Sequence, residues 1–527
     1  MSADDQVALF ENQPGTAKPK ARKRAPRKPA APQTTQARLS AIVKSARDIM
    51  RTDEGLNGDL DRLPQLAWLL FLRCFDAKED ERALLEGEAF KPAIAPEYQW
   101  KVWGANPSTP TGDALLHFVN NKLFPYLANL DQEVKEEDEK RTGFDPRLVI
   151  SSVFKDLTNR MRNGALLRDV INQVHKVDFT QQDDVHTMAL LYEGILREMR
   201  DAAGDSGEFY TPRPVIRFMT QQLFLELGEK ILDPACGTGG FLVESLEELR
   251  PKAKTTKQIS ALYSDIRGIE KKSLPFLLSM MNMLLHDVPR PQIRRGNSLV
   301  MMRLMGKRDK VDVIATNPPF GAEEEASVTN AFDEGFQSRE TAWLFLNVII
   351  EKLKDNGRCG IVLPNGILFG DDIFAMNIKD KLLTECNLHT VIRLQQGVFA
   401  PYTEIPANLL FFEKGKPTEE TWYYELPLPD GRRSYTKSKP LAYDEFAQCQ
   451  AWWGGPSREG RATTAQAWRV PIKDLRDGGL NLNLFNPHIA DELAHQDPAE
   501  LVAGLIKTEH EILGLLEEIQ SELAGGK

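Results

Sequence analysis

The spacing of apolar residues divides the chain into two regions of different character. Between residues 37 and 203, segments such as LPQLAWLLFLRCFDA and DALLHFVNNKLFPYLANL place apolar residues at intervals of three and four, the period of an amphipathic helix. Turn-forming breaks such as GANPSTPTGD at 104–113 separate these segments. The pattern predicts an all-helical N-terminal domain over residues 37–175, followed by a connecting helix.

Beyond residue 207, short β-rich runs alternate with helical stretches. These runs are KILDPA, ALYSDIRGIE, VDVIATNPPF, RCGIVLP, HTVIRL and ANLLFFEKG. Because strands separated by helices form parallel βαβ units, residues 176–480 are predicted to form a doubly wound α/β domain. The last two runs are predicted to pair antiparallel at the sheet edge. Residues 420–480, rich in aromatic and turn residues, are predicted only as a mixed appendage of this domain.

The two ends of the chain have distinct compositions. Residues 1–36 form a Pro/Ala/Lys/Arg tract with little to bury, which predicts a disordered basic tail. Such a tail is either a solvated extension or an arm that lies along phosphates. In residues 481–527 an apolar seam predicts a helix that docks on a partner or on its own domain. The seam comprises Leu501, Leu505, Ile512, Leu516, Ile519 and Leu523.

Composition narrows the class of protein. The net charge is −10, yet residues 1–40 carry eight Lys and Arg residues against three acidic ones, so any polyanion must be met locally. Five scattered cysteines without a CxxC pair indicate a reducing compartment and neither a disulfide framework nor a structural zinc site, and no metal site is predicted. No apolar run is long enough for a membrane span or a secretory signal, so the protein is expected to be cytoplasmic.

A glycine-rich turn follows the first predicted strand. In KILDPACGTGGF, residues 230–241, Asp233 ends the strand, and Gly237, Gly239 and Gly240 permit a tight turn whose backbone N–H groups approach a ligand at a helix start. The spacing is neither GxGxxG nor Walker A, which disfavours NAD binding and ATP hydrolysis. The alternative is a turn that only links strand to helix.

An acidic residue ends the next strand. Glu270 in YSDIRGIE is placed where a ribose would lie and is expected to accept hydrogen bonds from both hydroxyls. The alternative is a solvated surface glutamate, and only the neighbouring glycine turn favours the binding role.

The sequence NPPF directly follows a third predicted strand. Two prolines stiffen the backbone and remove N–H donors, leaving a rigid turn rich in acceptors. The Asn317 side-chain oxygen and the Pro318 carbonyl are suited to accept the two hydrogens of an exocyclic amine. Pro319 completes the turn, and Phe320 is expected to stack on the base. The alternative is a proline-stiffened turn with no ligand.

DPACGTGGF followed by NPPF resembles the S-adenosylmethionine-dependent amino-methyltransferases of the N6-adenine type, with their Rossmann-like fold. GEFYTPRPV resembles the family element that folds over the cofactor, which makes Phe209, Tyr210 and Thr211 candidate contacts. Thr211 and Pro212 also read as the N-cap and first residue of a helix. RRGNSL resembles a further cofactor element, with Asn297 where the family more often has Asp. The resemblance implies that S-adenosyl-L-methionine is bound by a set of residues that also includes Asp233, Ala235, Gly237, Thr238, Gly239, Gly240, Glu270 and Asn317.

Over nearly the whole chain, the sequence resembles the modification (M) subunit of type I restriction-modification systems. This resemblance implies methylation of adenine N6 in double-stranded DNA and assembly with a specificity (S) subunit, commonly two M to one S. It also implies that a restriction/translocation (R) subunit can join. Other NPPF or NPPY enzymes methylate protein glutamine or a guanine amine of ribosomal RNA, and a non-catalytic cofactor-binding scaffold is a further alternative. Asn317 favours adenine over cytosine N4, because similar cytosine enzymes more often carry Ser there.

Overall fold

A computed structural model describes residues 34–134 except 109, residues 145–203, and residues 211–488 except 322, 401, 402 and 430. It also describes residues 506, 509, 510, 512–514 and 516. The basic tail up to residue 33, Phe209 and Tyr210 lie outside the described residues, as do four members of the C-terminal seam. The two described seam residues, Ile512 and Leu516, are helical and exposed.

The N-terminal region is helical, as the apolar spacing predicts. Local capping sets several helix starts: the Thr34 hydroxyl accepts from the Ala37 N–H, and the Asp145 and Asn163 side chains cap later helices. Trp68 packs edge-on against Phe124 with ring centroids 5.0 Å apart in the core. The helices span Thr35–Met50, Asp59–Glu86, Trp100–Trp103, Gly112–Phe118, Phe124–Ala128, Pro146–Phe154, Gly164–His175 and Gln182–Ala203, with a π-helical turn at Val119–Leu123.

Nine strands form a single sheet in the remainder of the described chain. They are β1 (Ile231–Asp233), β2 (Ile266–Glu270), β3 (Gln292–Arg295), β4 (Val311–Thr316), β5 (Leu353–Pro364), β6 (Cys386–Arg393), β7 (Ala407–Lys414), β8 (Glu420–Glu425) and β9 (Ala467–Pro471). Their order is β3-β2-β1-β4-β5-β7-β6-β8-β9, and the first five strands in this order are mutually parallel. This is the doubly wound α/β fold expected from the sequence.

Helices cover both faces of this sheet. Alternating strand residues divide between two apolar clusters, with Val362 on one side and Ile361 and Leu363 on the other. The helices span Arg213–Gln222, Gly240–Leu249, Thr256–Asp265, Ser273–Leu285, Ser298–Leu304, Ala326–Thr329, Thr341–Lys352, Asn365–Phe369, Ile373–Glu385, Ala447–Trp452 and Ile472–Asp477. Ser273–Leu285 also packs on Asp59–Glu86, which joins the sheet domain to the N-terminal helices.

The far side of the sheet differs from the prediction. Strand β7 is antiparallel to both β5 and β6, so the β6/β7 pair is antiparallel as expected. The predicted position of the β6/β7 pair at the sheet edge is wrong, because β8 pairs with β6 and β9 pairs with β8. Part of the region 420–480 therefore extends the sheet. Aromatic side chains support this extension: Tyr423 stacks on Trp468 with ring centroids 5.4 Å apart.

The strand order reverses direction between β1 and β4. Successive strands run outward from β1 toward β3 on one side and from β4 toward β5 on the other. In such sheets a crevice forms outside the carboxyl ends of the strands at this switch point. Asp233 ends β1, and Asn317 directly follows β4, so the topology places both at this crevice.

Two other expectations concern the described residues. All five cysteines are buried and free in this structure. Among the described residues, no helix has the length and apolar character that crossing a bilayer requires.

Candidate active site

The glycine loop, residues 234–239, connects β1 to the helix Gly240–Leu249. Gly239 has φ +82°, a left-handed conformation that favours glycine, and its N–H donates to the Cys236 carbonyl at 2.7 Å. A Cβ on Gly240 would lie 2.5 Å from Cδ1 of Ile216. The loop therefore favours glycine at 239 for its backbone conformation, whereas a side chain at 240 would require Ile216 to move.

Asp233 lies buried beneath this loop. The Thr316 hydroxyl donates to Asp233 Oδ1 at 2.7 Å, and the Ala235 N–H donates to the same oxygen at 3.0 Å. Burial raises the pKa of Asp233 to about 7, despite these hydrogen bonds. The hydrogen bond from Thr316 ties the end of β4 to the end of β1.

Glu270 is buried and holds the loop itself. Its Oε2 accepts from the Gly237 N–H at 2.9 Å, and its Oε1 accepts from the Lys272 N–H at 2.7 Å. Burial raises the pKa of Glu270 to about 7. Glu270 is thus not a solvated surface glutamate. The Gly237 N–H, which the sequence argument directs at a ligand, donates to this carboxyl group instead.

Asn297 lies one strand further from the crevice. Its Oδ1 accepts from the Leu299 N–H at 3.0 Å and caps the helix Ser298–Leu304. Its Nδ2 donates to Glu324 Oε1 at 3.2 Å. Both ends of this amide are therefore engaged within the protein.

Asn317 presents an acceptor without a donor. Its Nδ2 donates to the Thr211 hydroxyl oxygen at 3.0 Å, whereas its Oδ1 is buried and has no hydrogen-bond partner. A buried unsatisfied oxygen is unfavourable, and such groups are rare in folded proteins. Thr211 is not the predicted helix N-cap: Pro212 occupies that position, and the helix begins at Arg213.

Phe320 follows the two prolines and is partly buried. Its ring lies edge-on to Phe399, with centroids 6.4 Å apart and planes at 81°. Pro318 is buried and Pro319 is partly exposed. The turn thus places one aromatic ring beside a second ring from a distant segment of the chain.

The glycine loop and Asn317 line one cleft. It encloses about 350 Å³ of space that includes open solvent. Its lining does not include Gly239, Glu270, Asn297, Pro318, Pro319 or Phe320. The predicted residues that do line it are Thr211, Asp233, Ala235, Gly237, Thr238, Gly240 and Asn317, and the rest of the lining is Arg213, Ile216, Cys236 and Phe241.

Two hydrogen-bonding residues of the site were not predicted from the sequence. Arg213 Nη1 donates to the Gly240 carbonyl at 3.0 Å, and its Nε donates to Glu193 Oε2 at 2.8 Å. Thr316 binds Asp233, as described above. Both lie inside segments that carry the motifs: Arg213 follows Thr211 by two residues, and Thr316 directly precedes Asn317. Their position relative to the motifs was the available signal.

Comparison with known families defines the class of this fold and site. The N-6 DNA Methylase family matches residues 183–496, and the HsdM N-terminal domain family matches residues 39–174. The type I restriction enzyme EcoEI methylase subunit of Escherichia coli is 45% identical over 497 residues, covering 93% of this chain and 99% of that protein.

Solved structures agree with this class. A crystal structure of a modification subunit of a putative type I restriction enzyme from Vibrio vulnificus YJ016 has a TM-score of 0.76 and 46% identity. It covers 89% of this chain and all of that one. A second chain, from a study of complex assembly and conformational transition of the type I R-M system, has a TM-score of 0.76 and 38% identity, covering 94% of this chain and all of that one. The chain belongs to the N-6 DNA methylase family, among the methylase subunits of type I restriction enzymes.

Proposed function

We propose that this chain transfers a methyl group from S-adenosyl-L-methionine to N6 of an adenine in double-stranded DNA. The observation that carries the proposal is the buried, unpartnered Oδ1 of Asn317 in the cleft that the glycine loop also lines. An exocyclic amine offers the hydrogen that this oxygen lacks. Family membership favours DNA over the RNA and protein acceptors and over a non-catalytic scaffold.

The residues of the cleft fit the proposed cofactor. The left-handed Gly239 permits the tight turn at the helix start, and Gly237 and Gly240 line the cleft without side chains. Asp233 lines the cleft at the base of the loop, so its carboxylate can accept from ligand N–H or O–H donors. Glu270 supports the loop from outside this lining and is kept as a candidate acceptor for the ribose hydroxyls. In this proposal Thr211, Asp233, Ala235, Thr238 and the glycines hold S-adenosyl-L-methionine, and Phe209, Tyr210 and Asn297 remain candidates from the family resemblance.

When bound, S-adenosyl-L-methionine supplies an electrophilic methyl group. The chain's own contribution is to place the adenine amine and to stabilise the positive charge that grows on its nitrogen. Asn317 Oδ1 accepts one amine hydrogen, and the Pro318 carbonyl is assigned the other. Thr211 keeps the Asn317 amide oriented through the 3.0 Å hydrogen bond. Phe320 is assigned a stacking role toward the base once it has left the duplex.

This alignment needs no strong base. With the cofactor bound, the site would hold the adenine N6 in line with the methyl group, which would pass to nitrogen as its bond to sulfur broke, and the amine proton would leave afterwards. The requirement is a near-linear approach in a site shielded from water, which positioning supplies. The two acceptors that face the amine also favour a pyramidal nitrogen, whose lone pair is available for attack.

Recognition of the DNA sequence is assigned to a separate specificity subunit, in a complex of two M chains to one S that an R subunit can join. The resemblance to type I methylase subunits supports this assembly, as does the similarity to a chain from a study of complex assembly in a type I system. No segment of the α/β region has the length of an independent base-reading domain.

The direct test uses the full chain purified with the specificity subunit from its own gene neighbourhood and tritiated S-adenosyl-L-methionine. Duplex DNA, ribosomal RNA and protein are offered separately, and labelled products are digested and chromatographed. The expected product is N6-methyladenine from DNA. Label in N4-methylcytosine, in RNA or in glutamine would overturn the assignment of substrate, and complete absence of transfer would favour the scaffold.

A further inference from the structure

We propose that a groove in the N-terminal domain binds the phosphate backbone of the DNA that carries the target adenine. The groove lies beside loop 158–163, with the sequence TNRMRN, which is called the arginine loop below. This inference rests on the proposed function, because it takes duplex DNA as the substrate. It assigns the contact to a folded surface rather than to the basic tail.

The lining of the groove has the chemistry of a phosphate-binding surface. The groove encloses about 910 Å³ of space open to solvent, and its lining contains no acidic residue. Two arginines and two amides contribute most of its polar groups: Arg160, Arg162, Asn120 and Asn159. Arginine and amide side chains provide many of the hydrogen bonds to DNA phosphates in protein–DNA complexes. Arg160 retains 58% side-chain exposure although it pairs with Asp61, and Arg162 is exposed.

Two buried polar residues anchor the backbone of the arginine loop. Asp53 accepts from the Arg162 N–H at 3.1 Å and from the Asn163 N–H at 3.0 Å, although it is only 4% exposed. Gln65, 2% exposed, accepts from the Arg160 N–H at 3.2 Å. The loop has no helix or strand of its own, so these distant side chains fix its conformation.

Close packing constrains the same loop from below. A Cβ on Gly55 would lie 2.0 Å from the Arg160 carbonyl oxygen, so only glycine fits there without moving the loop. Burying a carboxyl group is unfavourable unless it is fully hydrogen-bonded, and an apolar core would be simpler to build. The buried Asp53 and the close packing at Gly55 are explained if the exposed arginines need a fixed position, as ligand-binding groups on loops do.

The connector 155–157, which leads into the arginine loop, contacts the sheet domain at the carboxyl ends of β2 and β3. Asp156 accepts from the Ser273 hydroxyl at 3.0 Å and pairs with Arg295. Ser273 starts the helix after β2, and Arg295 ends β3. These contacts lie at the carboxyl ends of the strands, the edge that carries the candidate active site. DNA that delivers an adenine to the cleft must approach this same edge.

The test compares the full-length chain with Arg160→Ala/Arg162→Ala and with a control of equal charge change, Lys257→Ala/Arg308→Ala. Both control residues are exposed: Arg308 lies three residues before β4, at the amino end of that strand, and Lys257 lies on the helix Thr256–Asp265 that leads into β2. Binding of two unrelated 30-base-pair duplexes is measured by fluorescence anisotropy from about 50 to 200 mM salt. The slope of log K against log salt is negative, and each lost phosphate contact lowers its magnitude by about 0.9.

The arginine-loop variant is expected to lower the magnitude of this slope by about 2 for both duplexes, while the control retains the wild-type slope. Arg160→Lys/Arg162→Lys should restore most of it, because the charges return. S-adenosyl-L-methionine binding, measured by calorimetry, should stay unchanged in every variant. An unaltered slope in the arginine-loop variant overturns the inference even where methyl transfer to DNA proceeds normally. Loss of assembly with the specificity subunit at an unaltered slope also overturns it, in favour of a protein interface. Wild-type chain that methylates no DNA would instead refute the proposed function beneath it.

Discussion

Replacing Asn317 with alanine separates the catalytic role of this residue from its contribution to stability. In the proposed reaction the variant loses an acceptor that faces a nitrogen gaining positive charge. Removal of one preorganised hydrogen-bonding group from such a site reduces turnover by about 10²–10³-fold. Binding of S-adenosyl-L-methionine should change little, because the glycine loop, Asp233 and Glu270 remain in place.

The effect of this variant on stability follows from the hydrogen bonds of Asn317. The substitution removes the bond from Nδ2 to Thr211, which contributes about 1 kcal/mol. It also removes the buried, unpartnered Oδ1, whose desolvation costs about 1–3 kcal/mol. The two changes oppose each other, so we expect the free energy of unfolding to stay within about 1 kcal/mol of wild type or to rise. Cavity formation in a cleft open to solvent should add little.

Asn347→Ala supplies the matched control. Asn347 is buried on the helix Thr341–Lys352, and its Oδ1 accepts from Lys381 Nζ at 2.7 Å. This variant should lose stability and retain methyl transfer, the reverse of the Asn317 result. The assays are chemical denaturation, calorimetric cofactor binding and single-turnover transfer of tritiated methyl to duplex DNA. Transfer by Asn317→Ala within about threefold of wild type would remove the residue from the mechanism.

Three further predictions concern the support of the cleft. Gly239→Asp puts a side chain and a charge into a left-handed turn, so calorimetry should detect no cofactor binding. The control is Gly306→Ala, at an exposed glycine where an added Cβ meets nothing closer than 3.7 Å, and this variant should bind the cofactor normally. Thr316→Val removes the 2.7 Å hydrogen bond to Asp233 and should lower the free energy of unfolding by about 1–3 kcal/mol at pH 8. Denaturant titration measures this change, and an unchanged free energy of unfolding would mean that the hydrogen bond contributes nothing. If the ionised Glu270 binds the ribose, cofactor affinity should rise as pH increases through about 7, the raised pKa of this group, and Glu270→Gln should flatten that rise; parallel profiles would refute the role.

The sign of the pH effect on stability is fixed by the direction of the same shift. Burial raises the pKa of Glu270 in the folded chain above its unfolded value, so the folded chain binds its proton more tightly. The stabilisation from that proton is fully present below the unfolded pKa and is lost as pH rises to about 7. Ligand donors that prefer the carboxylate act in the opposite direction. Cofactor should therefore stabilise wild type more at pH 8 than at pH 6.

Much of the site could be predicted from the sequence because parallel strands impose its geometry. Asp233 and Asn317 each follow a recognisable buried run, and adjacent parallel strands bring their carboxyl ends together. The orientation of Glu270 could not be predicted in this way. A strand-end carboxylate can face a ligand or its own loop, and only the three-dimensional structure reveals the hydrogen bond from Gly237.

The extension of the sheet was harder to predict for a different reason. Strands β8 and β9 are short, and 41 residues of turns and short helices separate them, so no local period marks them as partners. In the folded chain β8 pairs with the side of β6 that β7 leaves free, and Tyr423 stacks on Trp468 across the β8/β9 pair. Contacts between residues so distant in sequence leave no signature in a single chain. The anchoring of the arginine loop by Asp53 belongs to the same class, since 109 residues separate Asp53 from Arg162.

The connector 155–157 links the two proposed surfaces physically. Asp156 accepts a hydrogen bond from Ser273 at the start of the helix that follows β2, and the arginine loop begins two residues after Asp156. A phosphate held by Arg160 or Arg162 would therefore be fixed relative to the strand ends that carry Glu270 and Asn297. Base flipping requires that the duplex stay in place while one nucleotide leaves it, at an unstacking cost of a few kcal/mol. A contact between the arginine loop and the DNA phosphate backbone meets that requirement. Because such a contact does not read bases, its loss should weaken the binding of both duplexes equally.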